Sequence, residues 1–165
     1  EMEAVVKKME HTKVPLLKKF SRSIIQINRV LKCDVPRLQV TVHGAAELPR
    51  MDQFTGRCDP YCLLDVGAHW KQHRVRSQTL VVYNTYTPSW DETFSFHLSD
   101  YSPTKPVEVN FTIMDWDQVG EHDFVGEVTI DLRADVHECM ESKQEVRVGP
   151  KWLNLKKDER HVRGH

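Results

Sequence analysis

The sequence predicts an all-β protein, an antiparallel sandwich of short strands that follows an N-terminal extension. Apolar and polar residues alternate, most clearly at Leu38, Val40 and Val42, as in a strand with one buried face. Further short runs rich in β-branched and aromatic residues follow, and turn-rich stretches separate them. No apolar run approaches the ~18–20 residues of a membrane-spanning helix.

Residues 1–22 are predicted to form a basic, partly helical extension. Residues 4–9 include helix formers, and Pro15 interrupts the pattern. An apolar cluster with two lysines follows over residues 16–20. Two interpretations stay open: a basic amphipathic helix that contacts a membrane or a protein partner, or a helix that packs on its own domain.

Eight segments are expected to be strands. Residues 23–31 are β-rich and are interpreted as the first strand, which the turn residues at 34–36 bring to an end. The other expected strands cover residues 38–42, 61–66, 73–82, 93–98, 107–114, 124–132 and 152–155. Residues 23–157 are therefore assigned to the sandwich, and residues 158–165 to a polar tail.

The charge is unevenly distributed although its sum is almost neutral. Residues 1–37 hold nine basic and four acidic residues, a net charge of +5, so the other 128 residues carry −6 of the total of −1. A near-neutral total excludes a nucleic-acid binder that depends on bulk positive charge. The basic arm and the acidic body indicate that local charge matters more than the sum.

The cysteines predict an intracellular protein with reduced thiols, because a chain of 165 residues can bury a core without disulfides. A zinc site is not favoured, because Cys58 and Cys62 lie where a turn enters a strand. Strand positions four apart are separated by about 13 Å, too far for one metal ion. The four cysteines are Cys33, Cys58, Cys62 and Cys139.

Aspartates gather in two of the predicted loops. Two lie between the first pair of alternating strands, and three lie in the loop after residues 107–114. If both loops occupy one end of the sandwich, five carboxylates converge and repel one another, so they need a cation. Oxygen ligands without histidine or cysteine favour Ca²⁺, whereas the plainer alternative is that loop aspartates only form turns. The candidate ligands are Asp52, Asp59, Asp115, Asp117 and Asp123.

Four motifs, in order along the chain, resemble those of C2 domains. Leu38-Gln-Val-Thr-Val-His-Gly and the later Gly56-Arg-Cys-Asp-Pro-Tyr resemble the opening of the domain. Pro88-Ser-Trp-Asp-Glu-Thr-Phe-Ser-Phe resembles the family's Asn-Pro-x-Trp-Asn-Glu-x-Phe-x-Phe stretch. Asp115-Trp-Asp, with a third aspartate and a glycine after it, resembles the third calcium-binding loop, and Trp152-Leu-Asn-Leu resembles the final strand.

The resemblance covers about residues 37–157 and implies an eight-stranded antiparallel Greek-key sandwich whose end loops often bind Ca²⁺ and then anionic phospholipid. It implies that Asp52 and Asp59 occupy the first-loop ligand positions and that the other three aspartates occupy those of the third loop. The two first-loop aspartates are seven positions apart, one more than is usual in the family.

Two further sets of residues are predicted to touch a membrane. Apolar loop tips suit the headgroup boundary, although Trp116 has packing against the loop base as an alternative. These predicted insertion residues are Phe54, Trp116 and Val119. The family often carries a basic strand that binds phosphoinositide headgroups, and the alternative here is a solvated strand face. The matching residues are Lys71, Arg74 and Arg76.

The predicted function is Ca²⁺-dependent binding to anionic phospholipid, either phosphatidylserine or phosphoinositides, by a targeting module of a larger membrane-traffic, fusion or signalling protein. The alternatives are a Ca²⁺-independent domain that binds proteins or phosphoinositides, and a regulatory domain of a lipid-modifying enzyme. The chain has no Ser-His-Asp set, HExxH motif or P-loop, so it is predicted not to be an enzyme itself. The predicted location is cytoplasmic, at the membrane periphery.

Overall fold

Eight strands form two antiparallel sheets, which confirms the predicted sandwich. The structure, a computed structural model, describes residues 23–32, 37–51, 58–67, 75–98 and 106–157. The strands are β1 (Ile24–Lys32), β2 (Arg37–Ala46), β3 (Pro60–Gly67), β4 (Val75–Gln78), β5 (Ser89–His97), β6 (Glu108–Asp115), β7 (Asp123–Asp131) and β8 (Val146–Asn154). One sheet has the order β5-β2-β1-β8 and the other the order β4-β3-β6-β7.

The first predicted strand is confirmed as β1, which pairs with both β2 and β8. The strand expected over residues 73–82 is shorter, because β4 ends at Gln78. The chain then follows the edge of β3 without regular strand pairing. Backbone N–H groups of Thr79 and Val82 donate to the carbonyls of Cys62 and Pro60, at 2.9 and 3.1 Å. The predicted extension and C-terminal tail lie outside the described residues.

The core lies between the two sheets, where alternate residues of each strand are buried. Phe111 and Ile113 of β6 and Leu38 of β2 are fully buried. Complete burial of such a side chain contributes roughly 1.5–3 kcal/mol each, so this pattern fixes which face of each strand points inward.

One helix, α1 (Arg133–Ser142), interrupts the all-β pattern between β7 and β8. It is absent from the elements predicted from sequence, although Val136, Cys139 and Met140 have the spacing of three and four positions that marks an apolar helix face. Val136 and Cys139 are buried, and Met140 packs against the core. The helix packs beside β1 and β8.

An ion pair fastens α1 to β1. Arg29 of β1 donates through Nε and Nη2 to Oδ2 of Asp135, at 2.9 and 2.5 Å, and both side chains are more than four-fifths buried. Replacing Arg29 with methionine is expected to cost about 2–3 kcal/mol of unfolding free energy, because it leaves the carboxylate largely buried without its partner. Urea unfolding measures this cost.

The control for this prediction is Arg147→Met on β8. Arg147 pairs with Glu145 at 2.6 Å, but its side chain is 70% exposed. An exposed pair contributes about 0–1 kcal/mol, so this variant should unfold close to the wild type. Equal costs for the two variants would contradict the role given to the Arg29 pair.

The cysteines correct one prediction. Cys58 and Cys62 are free, as expected, and both are buried. Cys139, in contrast, is disulfide-bonded, and its partner is not among the described residues. The expectation of four reduced thiols is therefore wrong for Cys139. In the part of the chain that the structure describes, no helix is both long and apolar enough to span a membrane.

Candidate functional site

Strand pairing brings three of the predicted ligands to one end of the second sheet. Asp115 is the last residue of β6, and its register partners are Pro60, the first residue of β3, and Asp123, the first residue of β7. Asp59 directly precedes Pro60. The two loops that carry the aspartates therefore do meet at the same end of the sandwich, which is the condition on which the predicted cation site depends. Asp117 lies two residues beyond Asp115 in the β6–β7 loop.

Hydrogen bonds lock Asp59 against Asp115. The backbone N–H of Asp59 donates to Oδ1 of Asp115 at 2.6 Å, and the N–H of Trp116 donates to the carbonyl of Asp59 at 3.0 Å. The Asp59 carboxylate accepts from the N–H of Asn84 at 2.6 Å. The segment after β4 thus holds the Asp59 carboxylate through Asn84, a contact that was not predicted from sequence.

The electrostatics of this end are unfavourable for a bare cluster of carboxylates. Asp115 is only 5% exposed. Burial raises its pKa, and the nearby charges of Asp117, Asp59 and Asp123 raise it further, whereas the hydrogen bond from the Asp59 backbone opposes them. A buried carboxylate that also faces three like charges is stabilised by a cation.

The same surroundings keep a nearby thiol protonated. Burial, together with the charges of Asp115 and Asp59, raises the pKa of Cys58 to about 12. Burial also raises the pKa of Cys62. These raised pKa values keep both thiols neutral. Because the thiolate is the form that binds metal, neither thiol is suited to zinc. The carboxylate oxygens remain as the candidate metal ligands of this end.

The donor set fits a hard cation, but the described residues do not complete a cage. Among them, no three or more histidine, cysteine, aspartate or glutamate side chains form a group that could hold a metal ion. One oxygen of Asp59 and one of Asp115 already accept backbone hydrogen bonds. The fifth predicted ligand, Asp52, lies outside the described residues.

Aromatic side chains brace the β6–β7 loop. Trp116 is half-buried and makes edge-to-face contacts with Tyr83 and His122, at centroid distances of 5.7 and 6.2 Å. His122 also shares a 2.7 Å hydrogen bond with the hydroxyl of Tyr61. The contacts of Trp116 match the packing alternative. Tyr83 and His122 were not predicted from sequence, because neither falls on a periodic pattern.

Of the other two predicted insertion residues, Val119 and Phe54, the structure describes only Val119. Val119 is 90% exposed at the tip of the β6–β7 loop, next to Gly120, whose φ of 107° is a conformation that favours glycine. Phe54 lies outside the described residues. One apolar side chain thus projects from the end that carries the aspartates.

Of the three basic residues predicted to bind phosphoinositide, only Arg76 is described by the structure, and it forms an ion pair within the fold. Lys71 and Arg74 lie outside the described residues. Arg76 is on β4, opposite Asp65 of β3, and its guanidinium donates to both carboxylate oxygens, at 2.9 and 3.1 Å. The charge of Arg76 is therefore engaged within the fold.

Comparisons with known proteins identify the type of domain. The model of the C2 domain family matches residues 36–155. Human synaptotagmin-9 is 32% identical over 113 residues, which are 67% of this chain and 22% of that protein. Mouse synaptotagmin-11 is 36% identical over 95 residues, 58% of this chain and 21% of that protein. The chain thus spans about a fifth of the length of these relatives.

Solved structures agree on the fold. A C2 domain of RIM from Drosophila has a TM-score of 0.59 and 20% identity, and the match covers 82% of this chain and 98% of that one. The third C2 domain of the KIAA1228 protein has a TM-score of 0.65 and 19% identity, with coverages of 83% and 89%. At such identities the likeness supports the sandwich and not a particular ligand.

Proposed function

The chain belongs to the C2 domain family, and from this premise we propose that it is a membrane-binding module that attaches to anionic phospholipid when Ca²⁺ is present. The observation that carries the proposal is the convergence of Asp59, Asp115 and Asp123 at one end of the second sheet. Asp115 is buried and surrounded by like charges, so a bound hard cation would stabilise its ionised form.

The proposed mechanism is a change in the sign of the local charge. Without a cation, the aspartates of this end repel an anionic membrane. Bound Ca²⁺ would supply positive charge and coordination positions open to lipid oxygens. The residues proposed to hold it are Asp52, Asp59, Asp115, Asp117 and Asp123. The hydrogen bonds between Asp59, Asp115 and Trp116 keep the two loops together, so the site does not have to be assembled from separate segments.

The larger context is also proposed. The relatives are synaptotagmins, and the chain spans about a fifth of their length, which supports a targeting module within a larger membrane-traffic protein. Phosphatidylserine is the proposed lipid. We propose peripheral membrane association. The disulfide at Cys139 weakens the case for the cytoplasm, because disulfides are rare in that reducing compartment.

Sedimentation with lipid vesicles tests the proposal. The full chain is mixed with phosphatidylserine–phosphatidylcholine vesicles in Ca²⁺ or in a chelator, and with phosphatidylcholine vesicles as the lipid control. Pelleting only with phosphatidylserine and Ca²⁺ is expected. Equal pelleting with and without Ca²⁺ would instead support the Ca²⁺-independent alternative, and Mg²⁺ in place of Ca²⁺ tests whether any divalent cation suffices.

Val119 is expected to add to membrane affinity by insertion. Replacing it with asparagine should weaken pelleting with phosphatidylserine and Ca²⁺ by roughly threefold to tenfold, because a side chain that is 90% exposed loses an apolar contact with lipid. The melting temperature and the Ca²⁺ titration should not change. Val75→Asn on β4 is the matched control, since Val75 is 55% exposed and pairs with Val66, toward the opposite end of β3 from Pro60 and Asp115. Equal losses in both variants would contradict insertion by the loop.

A further inference from the structure

Arg76 and Asp65 form a two-pronged ion pair across the edge of the second sheet. They are register partners on β4 and β3. Nε of Arg76 donates to Oδ1 of Asp65 at 2.9 Å, and Nη2 donates to Oδ2 at 3.1 Å. This parallel arrangement is the geometry in which a guanidinium also binds a phosphate. A phosphate group that used the same two donors would therefore have to compete with Asp65.

The two partners are buried to very different degrees. Asp65 is 6% exposed, whereas the side chain of Arg76 is 64% exposed. Water cannot replace the guanidinium around this buried carboxylate. Breaking the ion pair would therefore leave a buried charge without a partner, which makes the pair costly to separate. The hydrogen bonds and the charge of Asp65 also raise the pKa of Arg76. The exposed surface of Arg76 is thus that of a cation whose charge is already compensated.

The neighbouring strands do not add positive charge beside this pair. Asn110 of β6 is the register partner of Asp65 on the other side. Its amide donates to Glu127 of β7 at 3.4 Å, and its oxygen accepts from Thr129 at 3.1 Å. Across β3, β6 and β7 this face therefore presents neutral groups and carboxylates and no basic residue; the carboxylates are Asp65, Glu108, Glu127 and Asp131.

We propose that Asp65 acts as a built-in counter-anion that occupies Arg76 and limits the affinity of β4 for multiply phosphorylated inositol lipid headgroups. The inference rests on the proposed membrane function and adds a residue that sets headgroup preference. The end of the second sheet that carries Asp59, Asp115 and Asp123 is called the aspartate end. While Asp65 holds Arg76, the Ca²⁺-dependent contact of the aspartate end with phosphatidylserine dominates membrane binding. Removing the charge of Asp65 frees Arg76 and raises the affinity of β4 for the phosphoinositide headgroup.

The test compares wild type with Asp65→Asn on phosphatidylcholine vesicles that contain phosphatidylinositol bisphosphate, in the presence of a chelator. Asparagine keeps the size of the side chain and one oxygen acceptor. Release of one arginine near an anionic surface should tighten binding about fivefold. In the double variant Asp65→Asn/Arg76→Gln this gain should disappear. Glu127→Gln is the matched control, because it removes the same charge from the same face without freeing Arg76, and it should tighten binding less than twofold.

Three results would overturn the inference: no gain in Asp65→Asn, an equal gain in Glu127→Gln, or a gain that survives removal of Arg76. If Asp65→Asn does not fold, Asp65→Thr is used, since a β-branched residue suits this strand position. Every variant is also tested on phosphatidylserine vesicles, where pelleting should keep the Ca²⁺ dependence of the wild type. Failure of the wild type in that assay would overturn the proposed function and not the pairing of Asp65 with Arg76.

Discussion

The double variant Asp115→Asn/Asp117→Asn is expected to lose Ca²⁺-dependent pelleting with phosphatidylserine vesicles by a factor of at least about 100. Two of the five proposed ligands become neutral amides, which are poorer Ca²⁺ ligands than carboxylates. Asparagine at position 115 retains an oxygen that can accept from the backbone of Asp59, so the two loops stay joined. The measurement is sedimentation over a range of Ca²⁺ concentrations.

The control changes the net charge equally at a distant place. Glu138→Gln/Glu141→Gln removes two carboxylates from exposed positions on α1. It should pellet like the wild type. If the aspartate-end variant also keeps its Ca²⁺ response, the proposed site is wrong and the basic segments dominate membrane binding.

The single variant Asp115→Asn gives a second readout of this site. Because the fold raises the pKa of Asp115, its ionised form destabilises the native state at neutral pH. The chelated variant should therefore melt above the chelated wild type. This advantage should shrink as the pH falls through the raised pKa toward 3.8, since the wild-type carboxyl then becomes neutral too.

Gly44→Ala is expected to destabilise the domain by about 3 kcal/mol and to lower its melting temperature by roughly 10 °C. A Cβ at Gly44 would lie 2.4 Å from the carbonyl oxygen of Pro88, which is backbone and cannot rotate away. That oxygen also accepts from the N–H of Ala45 at 3.0 Å, so it is held in place. The start of β5 would have to move.

Thr41→Ala on the same strand is the matched control for Gly44. Its hydroxyl shares a 2.8 Å hydrogen bond with Thr93 at an exposed position, and its loss should cost about 1 kcal/mol or less. Thermal and urea unfolding of both variants measure the difference. A Gly44 variant that unfolds like the Thr41 variant would contradict the close contact with Pro88.

The sandwich is predictable from sequence because burial on one face leaves a period of two. Leu38, Val40 and Val42 alternate, and all three are buried in β2. Strand ends are less predictable, since they depend on partners distant in sequence. The chain after Gln78 remains rich in β-forming residues, yet only scattered hydrogen bonds to β3 hold it, so the predicted strand is too long. The helix after β7 is short, and its apolar spacing covers just three residues.

The candidate site is predictable to the extent that it depends on residue type. Carboxylates at two loop positions can be found by their spacing, and the structure brings Asp59, Asp115 and Asp123 together. The supporting contacts of Asn84 and Tyr83 depend on where an irregular segment passes, and no periodic signal marks such a position. The Asp65–Arg76 pair requires the register of β3 and β4, which composition does not specify.

The central claim is that the aspartate end binds Ca²⁺, and a calorimetric titration of the full chain with Ca²⁺ tests it most directly. We expect a saturable binding heat in the wild type, a much smaller response to Mg²⁺, and no binding heat in Asp115→Asn/Asp117→Asn. A wild-type heat indistinguishable from dilution, repeated in the presence of phosphatidylserine vesicles, would contradict the claim.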